Sequence, residues 1–207
     1  MRNPNAWQRF RPIRSGLGIL CGTAGQEGTL GYTALDAQNQ PWILSAAHVL
    51  GGANATLPAV GLSVLQPVGP ADVIALATAQ LRDAALDIAG AALAPGVDFV
   101  NEMLGLGPLA APIGAKVGMR VVKFGAITGM TEGEVLAVGA DDLTIGLPVS
   151  FPAGCQLAEG GDSGALWVEV KTHAPVGLHY AASGFGPAKA FARPLGLILA
   201  RFGLHAP

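Results

Sequence analysis

The chain has 207 residues, 51% hydrophobic and only 13% charged, with a formal net charge of −2, a mean hydropathy of +0.46 and an isoelectric point near 6.0. Such a supply of apolar residues builds a packed core and excludes a disordered chain. The acidic balance, with no basic cluster beyond Arg2, Arg9, Arg11 and Arg14, makes nucleic acid an unexpected partner.

At the start of the chain that basic cluster is not followed by an apolar h-region. The segment therefore does not read as a signal peptide, and a cytosolic location is the expectation. Gly and Pro (30 and 15 residues) break every apolar stretch short of the roughly 18 residues a membrane helix needs, so no membrane partner is expected. Short apolar runs follow one another at intervals of about ten residues, the spacing of an all-β sandwich or barrel rather than of βα units. The expected strands are Gly16–Cys21, Gly28–Ala34, Pro41–Ala46, Ser63–Gln66, Asp87–Leu93, Arg120–Phe124, Gly133–Val138, Leu143–Leu147, Ala165–Glu169, Pro175–Tyr180 and Ala188–Ala192. Val49–Asn54 is expected as a short helical turn, and Leu104–Gly114 as the crossover between two halves. Over Pro194–Leu204, Leu195, Ile198, Leu199 and Phe202 recur at helical spacing, which predicts a C-terminal helix. Cys21 and Cys155, the two cysteines, form neither a disulfide framework nor a metal set, and Cys21 reads as a small core residue.

Three stretches carry chemistry. Glu159-Gly160-Gly161-Asp162-Ser163-Gly164 brackets a serine with glycines, so a tight turn can aim main-chain N–H groups outward beside a hydroxyl. That combination offers a nucleophile and an oxyanion hole in one segment, although the same residues also make an ordinary turn. Ser45-Ala46-Ala47-His48 runs an apolar strand into small residues and a histidine, a candidate base or simply a satisfied polar side chain. Leu86-Asp87-Ile88-Ala89 sets a carboxylate at the head of an apolar run, where burial demands an N–H donor. Asp83 competes for the same role; because it follows Arg82 in a more polar stretch, it is expected to be exposed. The order His48, Asp87, Ser163 fits one catalytic arrangement. The order with the acid and His after the Ser fails because no Asp follows Ser163, and Ala165 breaks the elbow motif of that class.

Ser45-Ala46-Ala47-His48, Asp87-Ile88-Ala89 and Gly161-Asp162-Ser163-Gly164 resemble the three motif blocks of chymotrypsin-like serine peptidases, from about Gly16 to Leu204. More narrowly, Gly28-Thr29-Leu30-Gly31, Leu65-Gln66-Pro67, Gly118–Gly125 with Thr128-Gly129, and Val176-Gly177-Leu178-His179 resemble a bacterial group of trypsin-like peptidases. The resemblance implies an all-β fold of two six-stranded antiparallel barrels, roughly 16–100 and 115–192, with a C-terminal helix over 194–204. It implies a serine endopeptidase with His48, Asp87 and Ser163 as the triad, the N–H groups of Gly161 and Ser163 as the oxyanion hole, and no cofactor or metal. It also implies a protein or peptide substrate. The chain departs from the secreted digestive enzymes by lacking an Arg/Lys-Ile-Val-Gly-Gly activation site and the usual disulfides. Leu157, six residues before Ser163, is not the Asp that selects basic side chains. Gly177, Leu178 and His179 would wall the specificity pocket. There His179 resembles the histidine with which glutamate-specific members contact an acid, or is a strand residue bonded to backbone; Glu159, if it faced inward, would oppose an acid. Two other classes remain: a catalytically silent peptide-binding module, and an assembly module whose low charge and apolar surface suit a homo-oligomer or a dedicated protein partner.

Overall fold

The computed structural model describes residues 1–22, 26–51, 61–69, 71–148, 156–183 and 188–207. Cys155 and the 52–54 end of the expected helical turn lie outside them. In the first half the chain forms β1 (Ile13–Ser15), β2 (Gly18–Cys21), β3 (Gln26–Thr29), β4 (Tyr32–Leu35), β5 (Pro41–Ala46), α1 (Ala47–Gly51), β6 (Leu62–Leu65), β7 (Val73–Asp83), β8 (Ile88–Leu93), β9 (Phe99–Met103) and β10 (Gly107–Pro108). The second half forms β11 (Arg120–Gly125), β12 (Gly129–Val138), β13 (Leu143–Gly146), β14 (Leu166–Glu169), β15 (Pro175–Ala182), β16 (Lys189–Pro194) and α2 (Leu195–Phe202).

Strands β11-β12-β13-β16-β15-β14 close into a six-stranded antiparallel barrel, and β3-β2-β6-β7-β8-β5-β4 form a curled seven-stranded sheet. Both result from consecutive apolar strands pairing as hairpins, with inward side chains filling a common interior. Ile19, Leu30, Ile43, Val64 and Ile74 fill the first half; Val121, Val135, Ile145, Trp167 and Val176 fill the second. A third cluster joins Tyr32, Leu44 and Ile88 to Val122, Phe124, Leu166 and Leu178, and so cements the two halves face to face. The expected Gly28–Ala34 strand divides into β3 and β4, because Gly31 must pass beneath the second half: a Cβ there would collide with the Gly164 carbonyl and with Leu178. Helix α2 begins after Pro194 and ends at Gly203, whose left-handed φ of 65° lets its N–H reach back to the last turn. Leu195 and Ile198 are its buried side. No helix among the described residues is long and apolar enough to cross a membrane.

Candidate active site

The register of one strand pair brings the first two groups together. β5 pairs antiparallel with β8, with Ala46 opposite Ile88. His48 stands two residues beyond Ala46 and Asp87 one residue before Ile88, so the two leave the sheet side by side. His48 Nδ1 lies 2.7 Å from Asp87 Oδ2, and the His48 backbone N–H donates to Asp87 Oδ1 at 3.0 Å. Asp87 adopts a left-handed φ of 53°, a conformation that an Asp tolerates better than most residues, and its carbonyl accepts the Ala47 N–H at 3.1 Å. The carboxylate, its side chain 27% exposed, is thus held by two groups of His48.

Asp83 is engaged elsewhere. Its Oδ1 accepts the N–H groups of Ala85 and Leu86, both at 3.1 Å, and its Oδ2 meets Arg201 Nε at 2.9 Å. The side chain is 12% exposed, so the expectation of an exposed Asp83 is corrected: it caps the turn that presents Asp87. Burial pushes the Asp83 carboxyl up, but the Leu86 N–H and Arg201 outweigh it and hold the group below the ordinary carboxylate value.

Ser163 arrives from the second half on a turn that is tied to the first. Thr29 N–H donates to the Ser163 carbonyl at 2.9 Å, and Thr29 Oγ1 donates to the Gly161 carbonyl at 3.0 Å. Ser45 Oγ, fully buried two residues before Ala47, donates to the Thr29 carbonyl at 2.9 Å. Gly164, at φ 93°, packs so closely here that any Cβ would strike Ser45 Oγ and the Thr29 carbonyl. On its far side Gly164 N–H donates to the His179 carbonyl at 2.7 Å, which fixes the turn against β15. Gly161 has φ 101°, a left-handed conformation that glycine adopts readily. Neither the Gly161 nor the Ser163 N–H is engaged by another described residue. Among the described residues, no hydrogen bond joins the Ser163 hydroxyl to the imidazole.

Beneath the turn, Asp162 is completely buried against the equally buried Lys123, with Nζ and Oδ2 2.9 Å apart. The carboxylate also accepts Ile127 N–H at 2.9 Å, Thr128 N–H at 3.1 Å, Thr128 Oγ1 at 2.6 Å and Glu159 N–H at 3.2 Å. Burial pushes its pKa up, but Lys123 and Thr128 overcome that and hold it below the ordinary value. For Lys123 burial is the larger influence and lowers the amine, against the pull of Asp162. The carboxylate, with five donors, is the more firmly charged partner.

The expected pocket residues divide. Leu157 is buried and lines a cavity of 240 Å³, together with Gln156, Ala158, Ala182, Ser183, Ala188 and Lys189. Gly177, Leu178 and His179 are not among its described lining residues. Gly177 faces the barrel interior, where a Cβ would press on the Arg193 carbonyl and Leu143, and Leu178 belongs to the cluster between the halves. His179 is 2% exposed and stands edge-on to Trp167, with centroids 6.3 Å apart. Burial, aided by nearby Lys123, pushes its imidazole down to about 3, against the opposing pull of Asp162 and the Phe191 backbone, and Nδ1 has no hydrogen-bond partner among the described residues. A neutral histidine so held does not offer an acid a positive charge. Glu159 is exposed at the surface and is not among the described lining residues.

Several positioning groups lie outside the motifs read from the sequence. Arg82 Nη1 donates to the Ala47 carbonyl at 2.9 Å, and Arg193 reaches from β16 to the Leu86 carbonyl at 2.7 Å, so both flanks of the His48–Asp87 pair are braced. Thr29 acts through partners 97 and 132 residues away in the chain, and Lys123 through Asp162 across the barrel.

A closed antiparallel barrel, a second curled sheet packed against it and a short C-terminal helix are the chymotrypsin-like fold. Solved structures agree. The chain is similar to Nocardiopsis protease (19% identity, TM-score 0.71, covering 93% of this chain and 97% of the other) and to a glutamic acid specific serine protease (17%, TM-score 0.72, 94% and 100%). It is also similar to a chymotrypsin of Cellulomonas bogoriensis (18%, TM-score 0.67, 96% and 99%). No protein-family model and no curated protein matches the chain in sequence.

Proposed function

We propose that this chain is a serine endopeptidase acting through an acyl-enzyme. Ser163 Oγ attacks the carbonyl carbon of a peptide bond, and its proton passes to His48 Nε2. Asp87, on Nδ1, keeps the imidazole in the tautomer that leaves Nε2 free and stabilises the imidazolium without taking its proton. The Gly161 and Ser163 N–H groups receive the oxyanion, each donor contributing about 3–4 kcal/mol in enzymes of this kind. The tetrahedral intermediate collapses when the His48 proton moves to the leaving amine. Water then attacks the ester by the reverse route and frees Ser163.

The observation that carries this reading is the 2.7 Å His48–Asp87 contact on the lip to which Thr29 ties the Ser163 turn. Labelling by a fluorophosphonate probe tests it. Wild type should be labelled, and Ser163→Ala and His48→Ala should lose both labelling and hydrolysis while remaining folded, because triad members act as a unit. An unlabelled, well-folded wild-type chain would refute the enzyme and favour a peptide-binding module on the same fold.

The substrate side chain we propose is an acid. One similar structure is a glutamic acid specific protease that uses a histidine triad in substrate binding. Here His173 contacts the Pro108 carbonyl and His205 the Asp36 carbonyl, so neither joins buried His179 in such a set. Lys189 is the charged group among the described residues lining the cavity, and it would supply the attraction instead.

A further inference from the structure

The first residues of the chain reach the candidate oxyanion turn through a single peptide unit. The carbonyl of Ala126 accepts two hydrogen bonds from the N-terminal segment, Asn3 N–H at 3.0 Å and the Trp7 indole Nε1–H at 3.1 Å. The N–H on the opposite edge of that same planar peptide belongs to Ile127 and donates to Asp162 Oδ1 at 2.9 Å. Because a trans peptide is rigid, fixing its carbonyl fixes the direction of its N–H.

Other contacts at this point converge on the same turn. The preceding N–H, of Ala126, donates to Thr29 Oγ1 at 3.0 Å, and that hydroxyl donates onward to the Gly161 carbonyl. The Ile127 side chain packs against Gly161, where a Cβ would come within 2.6 Å of its Cγ1. Trp7 is itself firmly seated. Its ring covers Gly18 so closely that no side chain fits there; Gly18 N–H donates to the neighbouring Ala6 carbonyl at 2.9 Å; and the Arg2 guanidinium lies 4.3 Å above the ring.

We propose that Asn3–Trp7 is a positioning element for the Gly161–Ser163 turn, with the Trp7 indole N–H as its principal group. It acts by orienting the Ala126–Ile127 peptide that holds Asp162. Its effect on catalysis rests on the peptidase reading above, whereas its effect on the order of the turn does not.

The test is Trp7→Phe in the full chain, which keeps a ring over Gly18 and removes the donor. Hydrogen exchange measured by peptide should quicken over residues 126–129 and 159–164 and stay unchanged over β16. In the same variant kcat and the rate of fluorophosphonate labelling should fall between about 5- and 100-fold, the range that small misplacement of catalytic groups produces, with KM unchanged. Unchanged exchange in Trp7→Phe would overturn the proposal whether or not the chain is active. Faster exchange with wild-type kcat would overturn its catalytic part, while a wild type that exchanges as expected but is never labelled would instead sink the peptidase reading. A uniform rise in exchange across both halves would mean that Trp7 supports only the fold, and would also overturn it.

Discussion

Replacing Lys123 by Met isolates the buried charge on which the Ser163 turn is built. Both side chains of the Lys123–Asp162 pair are fully buried, so the substitution leaves a carboxylate in the interior without its counter-charge. Stranding one member of a buried pair costs about 3–5 kcal/mol. Asp162 keeps the Ile127, Thr128 and Glu159 N–H donors and the Thr128 hydroxyl, which sets the loss at the lower end, about 3 kcal/mol. For a chain of this size that is a fall of about 6–12 °C in Tm. Urea unfolding should show a lower midpoint at unchanged slope, the signature of lost stability rather than of an altered unfolded state. Lys123→Met combined with Asp162→Asn should recover most of the stability, because no unpaired charge remains, yet stay catalytically weak because the turn has lost its anchor. A Lys123→Met midpoint equal to that of wild type would refute the reasoning, as would a double variant no more stable than the single one.

The His179 imidazole, pushed down to about 3 from 6.5 by burial, binds its proton later on acidification than it does in the unfolded chain. Below pH 6.5 the unfolded state therefore holds more protons, and stability should fall as pH drops from about 6.5 towards 3. His179→Gln should flatten that slope in denaturant titrations at several pH values; an unchanged slope would mean the ring charges freely in the folded protein. Lys189→Glu should move cleavage from acidic towards basic side chains by about tenfold or more in relative kcat/KM, the size of a charged hydrogen bond. A peptide library cut alike by wild type and Lys189→Glu would remove Lys189 from the pocket.

The local chemistry of this protein was written in short segments. Alternating apolar runs predicted most of the strands, Pro41–Ala46 with its observed limits, and the helical spacing of Leu195 and Ile198 predicted the last helix. Those signals are legible because periodicity and turn residues act between near neighbours. β7 (Val73–Asp83) was not among the expected strands; its pairing with β6 and β8 on either side makes it one. The order His48, Asp87, Ser163 could be read, but not the register of Ala46 against Ile88 that sets the first two side by side. His179 shows the limit most clearly. Its sequence neighbours suit a pocket wall, whereas its protonation is decided first by burial and then by Lys123, 56 residues away in the chain. Residue types and spacing determine which groups are on hand and which strands form. Burial, charge and the direction of each N–H depend on contacts between segments far apart in sequence, and only the packed tertiary structure decides them.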